Sequence, residues 1–188
     1  PLLGKPGDAV CGIAGIINFR PPKDAGSNSA ILRMSRAIRH RGPDDEGYAS
    51  LEFGTGNVSC WYGNDTPENA RGRDFLYSPK GPVDAGGFGA APVRAVFGHR
   101  RLSIVDLSPL GHQPMGSADG SLWIVFNGDI YNHIELKELL ESKGHVFLSK
   151  TDTEVVIAAY REWGEDCVDR FNGMWAFALL DNAGKKVF

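Results

Sequence analysis

Covalent catalysis needs a nucleophile, a base and a donor for developing negative charge, and few residues of this sequence could supply them. The three cysteines, Cys11, Cys60 and Cys167, stand far apart and odd in number, so they make neither a disulfide framework nor a CxxC metal site. Taken singly, each reads as a small buried hydrophobe, the commoner fate of a lone cysteine. Asn127-Gly128 alone reads as a turn dipeptide, Arg101 as half of a surface ion pair, and Asp152 as a helix cap. His40 lies near Asp44, Asp45 and Glu46, types that ligate metals, but its segment reads as a helix end with a proline stop. His99, His112, His133 and His145 show no HxxxH or HxH spacing, so no zinc site is expected. No Gly-x-x-x-x-Gly-Lys-Ser/Thr loop occurs.

The elements that must position these residues follow from periodicity and turn signals. Cys11–Phe19 reads as a buried strand. Asn28 or Ser29 caps a helix whose apolar face is Ile31, Met34 and Ile38. Arg39, His40 and Arg41 fall in its last turn, where cations suit the dipole, and Gly42-Pro43 stop it. Gly47–Phe53 and Asn57–Tyr62 read as a hairpin. Glycine and proline concentrate in the stretch after it, and residues 63–92 read as an irregular surface insertion. Val93–Phe97, Leu102–Val105 and Leu122–Phe126 are β-like, the last ending in the Asn127-Gly128 turn, with loop over Ser108–Gly120. His133–Ser142 reads as a helix and His145–Ser149 as a strand. Thr151-Asp-Thr-Glu154 is a capping box opening the helix Val155–Trp163. Gly173–Leu180 reads as a buried strand, and Lys186–Phe188 as the start of its return. The chain stops inside that hairpin, which predicts an incomplete domain. Two central helices among groups of strands suggest α+β.

Several segments fall in register with one known family. Cys11-Gly-Ile-Ala-Gly15, His40-Arg-Gly-Pro-Asp-Asp-Glu-Gly47, Gly98-His-Arg-Arg-Leu-Ser-Ile-Val-Asp106 and Asn127-Gly-Asp-Ile-Tyr-Asn132 together resemble the class II glutamine amidotransferases, specifically the asparagine synthetase group. Thr151-Asp-Thr-Glu154 and Phe171-Asn-Gly-Met-Trp-Ala-Phe177 follow in the family's order. The resemblance runs from Cys11 to Phe188, the insertion excepted. It implies a four-layer αββα sandwich of two antiparallel sheets, the N-terminal-nucleophile hydrolase fold.

The resemblance implies roles residue by residue. Cys11 would be the nucleophile that attacks the glutamine carboxamide, releasing ammonia and leaving a γ-glutamyl thioester for water. The base would be its own α-amine, whose pKa of about 7.7–8.0 suits neutral pH. The Asn127 side chain and Gly128 N–H would form the oxyanion hole. Arg101 would bind the glutamine α-carboxylate through its planar fork. Leu102 and Ile104 would add backbone contacts and a pocket wall, and Asp152 would bind the α-ammonium. Asp129 stands where the family often carries Glu, keeping the charge at shorter reach. Arg100 reads as a solvated or loop-bracing neighbour. Cys11 follows Val10, so as written its nitrogen is an amide and the chain is expected to be inactive. Residues 1–10 are a cleaved propeptide, residues added for expression, or upstream of a GTG start read here as Val10. The last is favoured, because Val10 stands at the family's initiator Met.

No cofactor is expected in this domain. ATP and Mg would belong to a C-terminal synthetase domain that is not in this sequence and would be its partner, with glutamine as substrate; a homodimer is compatible with the family. A net charge of −3 and scattered Lys and Arg argue against nucleic acid. No apolar run reaches membrane-span length. Cysteine usage and the absence of a signal-like start predict a cytoplasmic protein. The same residues would also suit a non-catalytic glutamine-binding domain, or another N-terminal-nucleophile hydrolase, which the Gly98–Asp106 and Asn127–Asn132 segments argue against.

Overall fold

The computed structural model describes residues 11–22, 26–52, 55–84, 88, 92–103 and 106–188. In chain order they form β1 (Gly12–Ile17), α1 (Gly26–Ala37), β2 (Asp45–Glu52), β3 (Val58–Tyr62), β4 (Gly81–Pro82), β5 (Val93–Arg101), β6 (Met115–Gly116), β7 (Leu122–Ile130), α2 (His133–Ser142), α3 (Asp152–Trp163), β8 (Gly173–Asp181) and β9 (Lys186–Val187). One sheet has the order β1-β5-β2-β3-β4 and the other β6-β7-β8-β9. Pairing is antiparallel except at the edge, where β4 lies parallel to β3. Helix α1 packs on β1 and β5, these two strands face β7 across the sandwich, and α3 covers β7 with α2 beside it. The layers therefore run helix, sheet, sheet, helices, which is the four-layer αββα arrangement that the resemblance implied.

Burial explains the strand patterns. Leu122–Phe126 of β7 is buried on both faces, between the first sheet and α3, so it reads as a continuous apolar run. A smaller core of Ala14, Ile31, Tyr48, Val93 and Val96 lies under α1. The strand expected to be buried over Gly173–Leu180 is buried only at Leu179 and Leu180; from Gly173 to Phe177 it alternates, and Met174 is exposed.

Several local expectations are corrected. Asn28 and Ser29 lie inside α1, and Arg39–Arg41 form a separate 3₁₀ turn, because Ile38 (φ −101°, ψ 14°) leaves helical geometry. Val93–Phe97 is part of a longer strand reaching Arg101. No strand forms over His145–Ser149: the Leu148 and Ser149 N–H groups donate to the Glu154 carboxylate at 2.8 and 2.6 Å, so a side chain takes the donors a ladder would use. Asn127-Gly128 is not a turn. The β7–β8 ladder runs through it, with Asn127 opposite Ala176 and Gly128 opposite Trp175, so cross-strand pairing overrides the local preference. Among its described residues the segment after β3 is irregular apart from a 3₁₀ turn and β4, yet Thr66, Ala70, Tyr77 and Ser78 are buried and the Tyr77 hydroxyl donates to the Leu110 carbonyl at 2.7 Å.

Arg100 is not solvated. It pairs across the ladder with Glu46 at 2.6 Å, with side-chain exposures of 2% and 6%, and reaches Asp65 at 2.6 Å. Its Nε also donates to Ser35, so one guanidinium ties α1, β2 and the segment after β3 together. Arg100→Met would leave Glu46 buried without its cation, and unfolding in urea is expected to show a loss of about 3–5 kcal/mol. Adding Glu46→Met should recover part of it; an unchanged midpoint in the single variant would refute the bracing role.

Candidate active site

Cys11 sits at the head of β1, where Gly12 pairs with Arg100 and β5 ends at Arg101, next to Leu102. Its Sγ accepts the Leu102 N–H at 3.3 Å and lies 3.7 Å from the Leu102 carbonyl. Arg41 Nε donates to the Cys11 carbonyl at 3.2 Å, which fixes the residue from the far side. The Gly42 that follows has no room for a Cβ, which would collide with the Arg100 backbone. Burial pushes the Cys11 thiol above its usual pKa; the Leu102 N–H and the Arg101 charge oppose the shift, and Asp152 adds to it. The thiol is therefore protonated near neutral pH and needs a base to react.

A cavity of about 530 Å³ opens beside Cys11 between the two sheets and the start of α3. Arg101, Leu102, Asn127, Gly128, Asp129 and Asp152, distant in sequence, all line it with Cys11. Ile104, and residues 1–10 with the α-amine question they raise, lie outside the described residues.

Each wall has a local cause. Arg101 ends β5 and is held by the Asp106 and Ser108 carbonyls while it packs on Gly111, where a Cβ would strike the guanidinium. A Cβ on Gly128 would collide with the Met174 carbonyl and the Trp175 backbone, so only glycine lets β7 and β8 close here. Asp152 is the first residue of α3, not its cap. Thr151 caps the helix, accepting the Glu154 N–H at 3.3 Å. The expected box is not reciprocal, because Glu154 turns to residues 148 and 149. Asp152 Oδ2 accepts the Ile130 N–H at 3.1 Å, joining α3 to β7. Burial raises the Asp152 pKa against the pull of that N–H and of His133. Asp129 is exposed at the rim.

Sequence reasoning missed Gln113, Thr153, Tyr131 and Trp175 in the lining. Gln113 lies in what reads as featureless loop, and a single buried amide has no sequence signature.

The histidines are engaged elsewhere. His112 Nδ1 meets Asp45 at 2.8 Å, both buried, and His99 Nε2 donates to the Phe126 carbonyl at 3.0 Å. Among the described residues no cluster could hold a metal ion. Burial drives the His99 pKa down to about 4 from 6.5, against the Phe126 hydrogen bond and Asp45. The folded state thus holds His99 neutral where the unfolded chain would bind a proton. Stability is expected to fall by on the order of 3 kcal/mol as pH drops from about 6.5 to about 4, then level off. Urea midpoints against pH check this, and His99→Gln should flatten that part of the curve.

The family profile described as "Glutamine amidotransferase domain" matches residues 55–188. The chain belongs to the glutamine amidotransferase domain family. This amidotransferase domain is 34% identical over 171 residues to asparagine synthetase (glutamine-hydrolyzing) 1 of Bacillus subtilis (strain 168), a match covering 90% of this chain and 20% of that protein. It is likewise 34% identical over 193 residues to putative asparagine synthetase (glutamine-hydrolyzing) 2 of Methanocaldococcus jannaschii, covering 95% and 29%. The domain thus spans less than a third of the length of these relatives. Among solved structures, the glutamine phosphoribosylpyrophosphate amidotransferase of B. subtilis, complexed with ADP and GMP, superposes with a TM-score of 0.61 at 18% identity, over 92% of this chain and 35% of that one. That likeness is one of fold.

Proposed function

We propose that this amidotransferase domain hydrolyses glutamine to glutamate and ammonia at Cys11, and that in the complete protein the ammonia amidates an acceptor carboxylate activated by ATP. What carries the proposal is the meeting of Cys11, Asn127, Gly128, Arg101 and Asp152 around one cavity. Cys11 Sγ attacks the glutamine Cδ while its thiol proton passes to the freed α-amine. Asn127 and the Gly128 N–H hold the oxyanion. Ammonia leaves with that proton, and water then cleaves the thioester, returning the thiol and giving glutamate. Arg101 takes the α-carboxylate. Asp152 takes the α-ammonium, with Asp129 as a shorter-reaching helper at the rim. Leu102 steadies the sulfur and walls the pocket.

Residues 1–10 are then absent from the mature enzyme. The partner is a C-terminal synthetase domain that holds ATP and Mg, with a homodimer as the assembly. Aspartate is the acceptor by analogy with the relatives named above. Three free cysteines suit the cytoplasm. Among the described residues no helix is long and apolar enough to cross a membrane. A glutamine-mimicking diazoketone tests the function: one equivalent should attach at Cys11 and none in Cys11→Ala. Glutamine binding without any labelling of protein that begins at Cys11 would favour the non-catalytic binding domain.

A further inference from the structure

We propose that Gln113 is a positioning residue that sets the spacing between the two ends of bound glutamine, the carboxamide at Asn127 and the ammonium at Asp152. Gln113 is buried in the cavity wall. Its Oε1 accepts the Phe126 N–H at 2.7 Å, and its Nε2 donates to Thr153 Oγ1 at 3.3 Å. Phe126 precedes Asn127 in β7, and Thr153 follows Asp152 in α3. One side chain thus ties the residue beside the carboxamide site to the residue beside the ammonium site.

The backbone explains why a side chain does this. In the β6–β7 register Met115 faces Ile124 and Gly116 faces Trp123, so the same register extended would set Gln113 opposite Phe126. Pro114 intervenes and has no N–H to offer a ladder. The pairing stops at Met115, and the Gln113 amide takes the Phe126 N–H in place of a backbone carbonyl. The amide offers the acceptor for Phe126 and the donor for Thr153 on one planar group, and Met or Leu offers neither. Asn127–Asp129 is consequently held against α3 from both sides, through Gln113 at Phe126 and through Asp152 itself at Ile130.

Resting on the glutamine assignment above, this predicts a selective defect. Glutamine held at both ends feels any change in their spacing, whereas an analogue without the α-amine, 4-carbamoylbutanoate, is not held at Asp152. The test uses the full-length protein beginning at Cys11 and compares kcat/KM for the two substrates. Gln113→Met and Thr153→Val should each lower the value for glutamine on the order of tenfold, the scale of a coupled hydrogen bond or two, and change that for the analogue by less than about twofold. Thr153→Val leaves the Phe126 bond in place, so it serves where Gln113→Met folds poorly. The double variant should be no worse than Gln113→Met, and on an Asp152→Asn background neither change should affect selectivity further. Equal losses for both substrates, or none, would overturn the inference while leaving glutamine hydrolysis standing. A parent protein that neither hydrolyses glutamine nor prefers it to the analogue would instead overturn the glutamine assignment, and the inference with it.

Discussion

Protein that begins at Cys11 should hydrolyse glutamine at least about 100-fold faster than the same protein carrying residues 1–10, since a positioned general base is worth on the order of 100- to 10,000-fold. The expectation follows from what surrounds the sulfur. Burial raises the thiol pKa, so thiolate is scarce at neutral pH. Among the described residues, the hydrogen bonds of Sγ go to Leu102 backbone groups, neither of which can take a proton in the working pH range. His99 and His112 are committed to Phe126 and Asp45. The base that the family resemblance implies is the α-amine of Cys11, and an amide nitrogen has no available lone pair. Ammonia release by the two forms measures the effect, with Cys11→Ala as the zero. The active form should gain rate with pH through a titration at about 7.7–8.0, the α-amine range. Equal rates in the two forms would show that another base serves Cys11.

The sequence and the structure agree most closely where several residues repeat one physical requirement. The mix of strands and helices was legible because both carry their periodicities over many residues, and α2 spans the same residues that its pattern predicts; the αββα layering came from the family resemblance. Asn127-Gly128 was misread as a turn because the dipeptide's local preference is strong and its partner strand lies about fifty residues away. The true reason for Gly128 is a collision with β8 that no local pattern contains. Thr151-Asp-Thr-Glu154 carries a real capping signal, and Thr151 obeys it, but Glu154 found better donors at Leu148 and Ser149. Arg100 and Arg101 look alike in the sequence. The alternation of β5 sends one to a buried ion pair and leaves the other at the cavity wall. Family likeness pointed to Arg101, Asn127 and Asp152, which line the cavity with Cys11. Gln113 lacked both periodicity and motif, and only coordinates reveal it.

Asn127→Ala separates chemistry from scaffold on β7. Its kcat should fall about 100- to 1000-fold, the usual cost of one oxyanion donor, with KM for glutamine little changed, because a donor used only by the tetrahedral intermediate contributes little to ground-state binding. Stability should hardly move. The pairing of Asn127 with Ala176 is made by the main chain, which alanine keeps, and the side chain is only partly buried. Gly128→Ala should behave differently at the neighbouring position. Its methyl would press on the Met174 carbonyl and the Trp175 backbone, so the ladder must open, and the urea midpoint should drop together with the rate. Steady-state kinetics and urea unfolding on both variants therefore give opposite patterns: one slow and stable, the other slow and destabilised. A stable Asn127→Ala protein with kcat within tenfold of the parent would remove Asn127 from the oxyanion site. The Gly128 N–H would then carry that charge alone, and the constraint on Gly128 would be catalytic as well as steric.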